Sequence, residues 1–132
     1  MIKVKNSQLN SDAIQALNNL IDLDINATAA FRLTRIIKEI SSIIEDKSKM
    51  EKKILDKWTA KGEDGLPTRV MDDKGNHVEG SVNISNAESF NKEVNTLMNV
   101  ENKISYEKLK FTELGLATAK IKDLLLLEFL FD

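Results

Sequence analysis

Hydrophobic positions along this chain switch between a period of two and a period of three to four, and the switches mark out its elements. Residues 2–6, IKVKN, alternate with Ile2 and Val4 on one face, which predicts a short edge strand. Residues 11–23 place Ala13, Leu17, Leu20 and Ile21 at helical spacing behind Asn10 or Ser11 as N-cap, so a helix is expected there. From Asn26 to about Lys61 no Gly or Pro intervenes, and Phe31, Leu33, Ile36, Ile37, Ile40, Ile43, Ile44, Met50, Ile54 and Trp58 recur at steps of three and four. That is one helix of about 50 Å. Its apolar positions are dense through Ile44, whereas EDKSKMEKKILDK carries only a thin stripe. The first half is predicted to be buried on a wide face and the second only along a seam.

The turn residues are concentrated in one place. Residues 62–80 hold four of the five glycines, the only proline and the only histidine. Gly62 and Gly65 stop the long helix, Pro67 prevents its resumption, and RVMDDKGNHVEGSVNI alternates around a turn at DDKGN, so a β-hairpin is predicted over 66–84. Ser85 with Glu88 reads as a capping box opening a helix over 86–102, with Phe90, Val94, Leu97 and Met98 on one face. ISYEKLKF, 104–111, is a candidate second strand that could pair with IKVKN and join the two ends of the chain. After Gly115 a final helix over 117–131 carries Ile121 and the leucine run. If the hairpin reverses the chain, helix 86–102, about 26 Å long, reaches back only to about Ile44. It covers 45–61, and the dense half is left to helices 11–23 and 117–131. The expected fold is α+β and mostly α, one domain over 1–132. A long antiparallel helical hairpin of coiled-coil character (about 45–102), tipped by the β-hairpin 66–84, packs on a small helical head (about 1–44 and 103–132) with short terminal strands.

Composition narrows the partners. At 132 residues the chain has the size of a single domain. Its 19 basic and 21 acidic residues give a net charge of −2, with no global field favouring nucleic acid or an anionic membrane. The lack of cysteine excludes disulfides, thiolate chemistry and Cys-ligated zinc. MIKVKNSQLN has no apolar run after its lysines and reads as neither signal peptide nor anchor. LLLLEFLF, residues 124–131, is far below the ~20 residues of a spanning helix, so no membrane is expected. These features predict the cytosol.

Candidate chemistry is sparse. His77 sits beside Asp72, Asp73, Asn76 and Glu79, but the spacing fails the calcium-loop pattern, and a lone His without Cys is poor zinc spacing. Polar residues flanking a tight turn account for the set. No catalytic residue, metal ligand or cofactor site is predicted, and the chain reads as a non-enzyme. Lys47, Lys49, Lys52, Lys53, Lys57 and Lys61 form the one basic stretch, interleaved with Glu45, Asp46, Glu51 and Asp56 and lacking stacking aromatics. It reads as a solvated face; a nucleic-acid or nucleotide-sequestering role would fall to Lys49, Lys52 and Lys53, with binding that weakens steeply in salt. Trp58, the only tryptophan, either closes the seam against Phe90 or is an exposed interface anchor. With Val70, Met71, His77 and Val78 it forms the candidate partner-binding tip. The leucine run is core or is shared with another subunit through Leu124, Leu125, Leu127, Phe129 and Phe131.

MIKVKNSQL, AAFRLTRIIKEI, DDKGN, FNKEVNTLMNVE and the closing LLLEFLFD together resemble a family of small phage and prophage proteins from Gram-positive hosts, a domain of unknown function. The resemblance spans most of the chain and departs in its leucine run, where the family is more variable. It implies phage origin and encoding near late tail and lysis genes, and no activity. The expected function is binding to a protein. A virion or tail accessory or assembly factor, which could be incorporated in the virion, stands first; a host-directed inhibitor of a bacterial defence protein is the alternative.

Overall fold

The computed structural model describes residues 1–63, 65, 73–75, 83–115 and 119–132. Most of the hairpin expected over 66–84 therefore lies outside the described residues. The fold is α+β and mostly α. Strand β1 spans Ile2–Lys5, helix α1 Ser11–Ile21, helix α2 Ala27–Trp58, helix α3 Ala87–Met98, strand β2 Glu101–Ile104 and helix α4 Ile121–Leu126, with single 3-10 turns at Asn6–Gln8, Phe111–Leu114 and Glu128–Leu130. The chain divides into two compact units, Met1–Lys47 with Met98–Asp132 and Ser48–Leu97, with one of the two boundaries inside α2.

Local chemistry explains the element ends. Asn10 caps α1, its side chain accepting from the Ala13 amide at 2.9 Å. Asn26 does the same for α2, accepting from the Thr28 amide at 3.0 Å, while its own amide donates to the Leu114 carbonyl at 2.8 Å. Gly115 follows at φ +69°, a left-handed position that suits glycine and ends the 3-10 turn. The cap of α3 is Asn86 rather than Ser85: Asn86 Oδ1 accepts from the Ser89 amide at 3.1 Å. Ser85 is otherwise engaged, donating from its amide and its hydroxyl to the Trp58 carbonyl at 2.7 and 3.0 Å.

In the larger unit, β1 and β2 pair antiparallel, Ile2 opposite Ile104 and Lys5 opposite Glu101. This is the pairing of IKVKN expected from its alternation, but the second strand lies earlier than 104–111 and is shorter. Asn102 explains the register. Its amide nitrogen donates to the Val4 carbonyl at 3.2 Å and to Asn6 Oδ1 at 2.8 Å, partnering the carboxamide of Asn6, the one buried polar side chain among the described residues. Asn102 stands opposite Val4 and reaches Asn6 diagonally; a buried polar group without partners would cost about 1–3 kcal/mol, so this bond favours the register. Beyond Ile104 the chain leaves the strand, and Leu109 meets the C-terminus instead: its amide donates to the Leu130 carbonyl at 2.8 Å, and the Asp132 amide donates back to the Leu109 carbonyl at 2.9 Å.

The core of this unit joins Ile2, Val4 and Ile104 of the strands, Ala16, Leu17 and Leu20 of α1, and Ala29, Leu33, Ile36 and Ile40 of α2, with Leu109, Leu114, Leu127, Phe129 and Leu130. The α2 positions step by four, three and four, one helical stripe, and Ile37, Ile43 and Ile44 widen it. This is the wide apolar face expected of the first half of the long helix. In the smaller unit only Ile54 of α2 is buried, while Met50 and Leu55 are exposed. The leucine run does not form one helix to the terminus. After Leu126 the chain tightens into the 3-10 turn, which turns Phe129 and Leu130 into the core together with Leu127.

Leu33→Ala is expected to lower stability by about 2–5 kcal/mol and Asn102→Ala by about 1–3 kcal/mol in urea unfolding, against under about 0.5 kcal/mol for exposed Leu125→Ala. Equal small losses for all three would contradict this core.

Candidate protein-binding surfaces

In the smaller unit, the chain at 83–85 returns beside the end of α2. Thr59 and Ile84 form an isolated antiparallel bridge, and the Ala60 amide donates to the Asn83 carbonyl at 2.8 Å. At this junction Trp58 is half-buried, and its indole nitrogen donates to Glu93 Oε2 at 2.8 Å. Lys57 Nζ pairs with Glu93 Oε1 at 2.6 Å and lies 5.0 Å from the Trp58 ring centroid. One carboxylate of α3 thus holds two consecutive residues of α2. The Lys57 bond, then the Trp58 bond, hold the Glu93 carboxyl below its ordinary 4.5. The polar handle of Trp58 is satisfied inside the chain. Of the other tip residues, Val70, Met71, His77 and Val78 lie outside the described residues.

Lys49, Lys52 and Lys53 are exposed on α2, and Lys49 and the neighbouring Lys47, Glu45 and Glu51 are engaged in interactions of their own. Acidic and basic residues are interleaved along this stretch.

The residues expected to join subunits divide. Leu127 and Phe129 are 1% and 6% exposed in the chain's own core and cannot face a partner, which corrects that expectation for both. Phe131 is half-buried and meets Phe111 edge to face at 6.4 Å. Leu124 is half-buried in the wall of a groove. Leu125 alone of the five is exposed, at 65%, and Ile121 one turn before it is 75% exposed.

That groove, about 550 Å³, runs between α1 and α4. Leu20, Leu23, Leu124 and Leu127 give it an apolar lining, and Asn19, Asp22, Lys120 and Asp123 its polar groups. Asn19 Nδ2 donates to Asp123 Oδ2 at 3.4 Å, tying the two helices together. A second groove, about 430 Å³, lies between the residues that follow α1 and the first turns of α2; Leu23 lines both. Apolar grooves with a few polar groups on the rim are what protein-binding surfaces present.

Sequence reading passed over Glu93, Asn19, Asp24 and Asp123. Glu93 left one trace, a carboxylate at the edge of the Phe90–Val94–Leu97 stripe. The others are charged or amide residues on polar faces, and nothing in their spacing distinguishes them. Among the described residues no three His, Asp or Glu side chains gather as a metal site, and no helix is long and apolar enough to cross a membrane.

A carboxylate held below its ordinary value stabilises the fold above that value and ceases to do so as pH falls through the lowered one. Tryptophan emission of the native chain should therefore shift on acidification below pH 4.5 as the Glu93–Trp58 contact loosens, and Glu93→Gln should abolish that step. The same acid step in the Gln variant would assign it to another group. No protein-family model, curated protein or solved structure matches this chain.

Proposed function

We propose that this chain is a non-enzymatic, phage-encoded protein that works by binding a structural protein of the virion, as a tail accessory or assembly factor in the host cytoplasm. The observation that carries the binding role is the exposed pair Ile121 and Leu125, one turn apart on α4, beside the apolar groove that α4 forms with α1. Two large aliphatic side chains held in water on a helix packed against its own core leave an apolar ridge available to another surface. Apolar anchors rimmed by Lys120, Asp22 and Asp123 match the composition of a protein interface, an apolar centre with a charged edge. The phage assignment is supported by the resemblance of the segments quoted above.

Tagged protein copurified from infected cells, with mass spectrometry of the pull-down and of purified virions, tests this reading. Recovery of a tail or capsid protein that is lost in the Ile121→Glu, Leu125→Glu double variant is the expected result. Recovery of a host complex, with virions empty of the protein, would replace it by the host-directed inhibitor. Recovery of a phage partner undiminished by the double variant would place the interface elsewhere, with Val70, Met71 and Val78 next to be substituted.

A further inference from the structure

We infer that the second groove, between the α1–α2 connection and α2, is the contact through which two copies of this chain pair about a two-fold axis. This goes beyond the heterotypic role proposed for α4 and uses different side chains, apart from Leu23.

Two features place a knob beside a hole. The hole is the groove of about 430 Å³, with Ile21 and Leu23 in its wall, both partly exposed large side chains, and Leu33 and Ile37 of α2 beneath. The knob is Phe31, 62% exposed on the adjoining stripe of α2, three residues from Thr34 and seven from Lys38, both of which line the groove. Arg35 rests over the Phe31 ring at 4.5 Å from its centroid. Phe and Arg are both enriched at protein interfaces, and the stacked guanidinium holds the ring in place on the surface.

The charges say what kind of surface fits. Asp24 lies on the α1 side of the groove and Lys38 on the α2 side, so both border one apolar depression, yet neither is paired with the other or with any described residue. A patch with an apolar centre, one acidic edge and one basic edge is complementary to itself when rotated by 180°. In that arrangement Asp24 of each copy faces Lys38 of the other, and each Phe31 enters the groove of its mate. A partner of uniform charge would meet repulsion on one edge.

Sedimentation velocity over a range of protein concentrations tests the pairing. The wild-type chain should shift from monomer towards dimer as concentration rises. Phe31→Asp should weaken association by roughly tenfold or more; since Phe31 is exposed, thermal melting should show the fold intact. Asp24→Lys and Lys38→Asp should each dissociate the dimer, because each creates like charges across the axis twice. An equimolar mixture of these two variants should associate again, since the mixed dimer restores both opposite-charge contacts. A wild-type chain that stays monomeric at every concentration would overturn the inference. So would a dimer indifferent to Phe31→Asp, or charge variants that fail to recover on mixing. Because Ile121 and Leu125 are untouched in all these variants, failure here leaves the reading of α4 standing, and failure there leaves this one.

Discussion

The pairing of β1 with β2 is the constraint on which the larger unit depends. Four residues near the start of the chain are hydrogen-bonded to four that lie about a hundred positions later, so closing this pair fixes one end of the long intervening stretch. Loop closure over such a separation is unfavourable but grows only slowly with length. It is offset by what the strand brings with it: Ile2, Val4 and Ile104 are buried, and the Asn6 carboxamide finds Asn102. Two strands alone would be marginal in water, and here they are supported by the α1 and α2 side chains in the same core. The C-terminal residues add a second tie at Leu109.

The long helix α2 contributes to both compact units with different parts of its length. Its early turns present the Ala29–Leu33–Ile36–Ile40 stripe to the larger core. Its late turns bury only Ile54 and rely on polar contacts at their end, where Glu93 takes both the Lys57 ammonium and the Trp58 indole. The larger unit is thus held by area removed from water, whereas the end of α2 in the smaller one is marked by directional bonds. Directional bonds between charged groups respond to pH; a buried aliphatic stripe does not.

How much of this was legible follows from which physics each element uses. Periodicity exposes burial on one face, and so α1, α2 and the β1 alternation could be read directly from Leu17, Leu33, Ile36, Ile2 and Val4. Boundaries that depend on one polar partner could not. The cap of α3 is Asn86 where Ser85 was expected, and Ser85 is instead bonded to the Trp58 carbonyl, a contact between residues far apart in sequence. β2 begins earlier than expected and holds Asn102, a residue disfavoured in strands, whose side chain bonds the Val4 carbonyl and Asn6. The leucine run looked uniformly apolar, yet its members divide: Leu127 turns inward and Leu125 outward, a distinction set by the break after Leu126 and invisible in composition. The grooves were illegible for a related reason. Each is made of ordinary residues brought together, by the packing of α1 on α4 in one case and by the α1–α2 connection meeting α2 in the other, and the binding reading rests on which apolar side chains are left uncovered.

The central claim is that the terminal strand pair and the first half of α2 form one cooperative structure. Native-state hydrogen exchange as a function of low denaturant concentration tests it most directly. The account predicts that the hydrogen-bonded amides of 2–5 and 101–104 open with the same free energy and denaturant dependence as those of 29–40, in a single event. Strand amides that exchange rapidly and independently of denaturant, while α2 keeps its protection, would show the pairing to be an ornament on a helical core and would contradict the account.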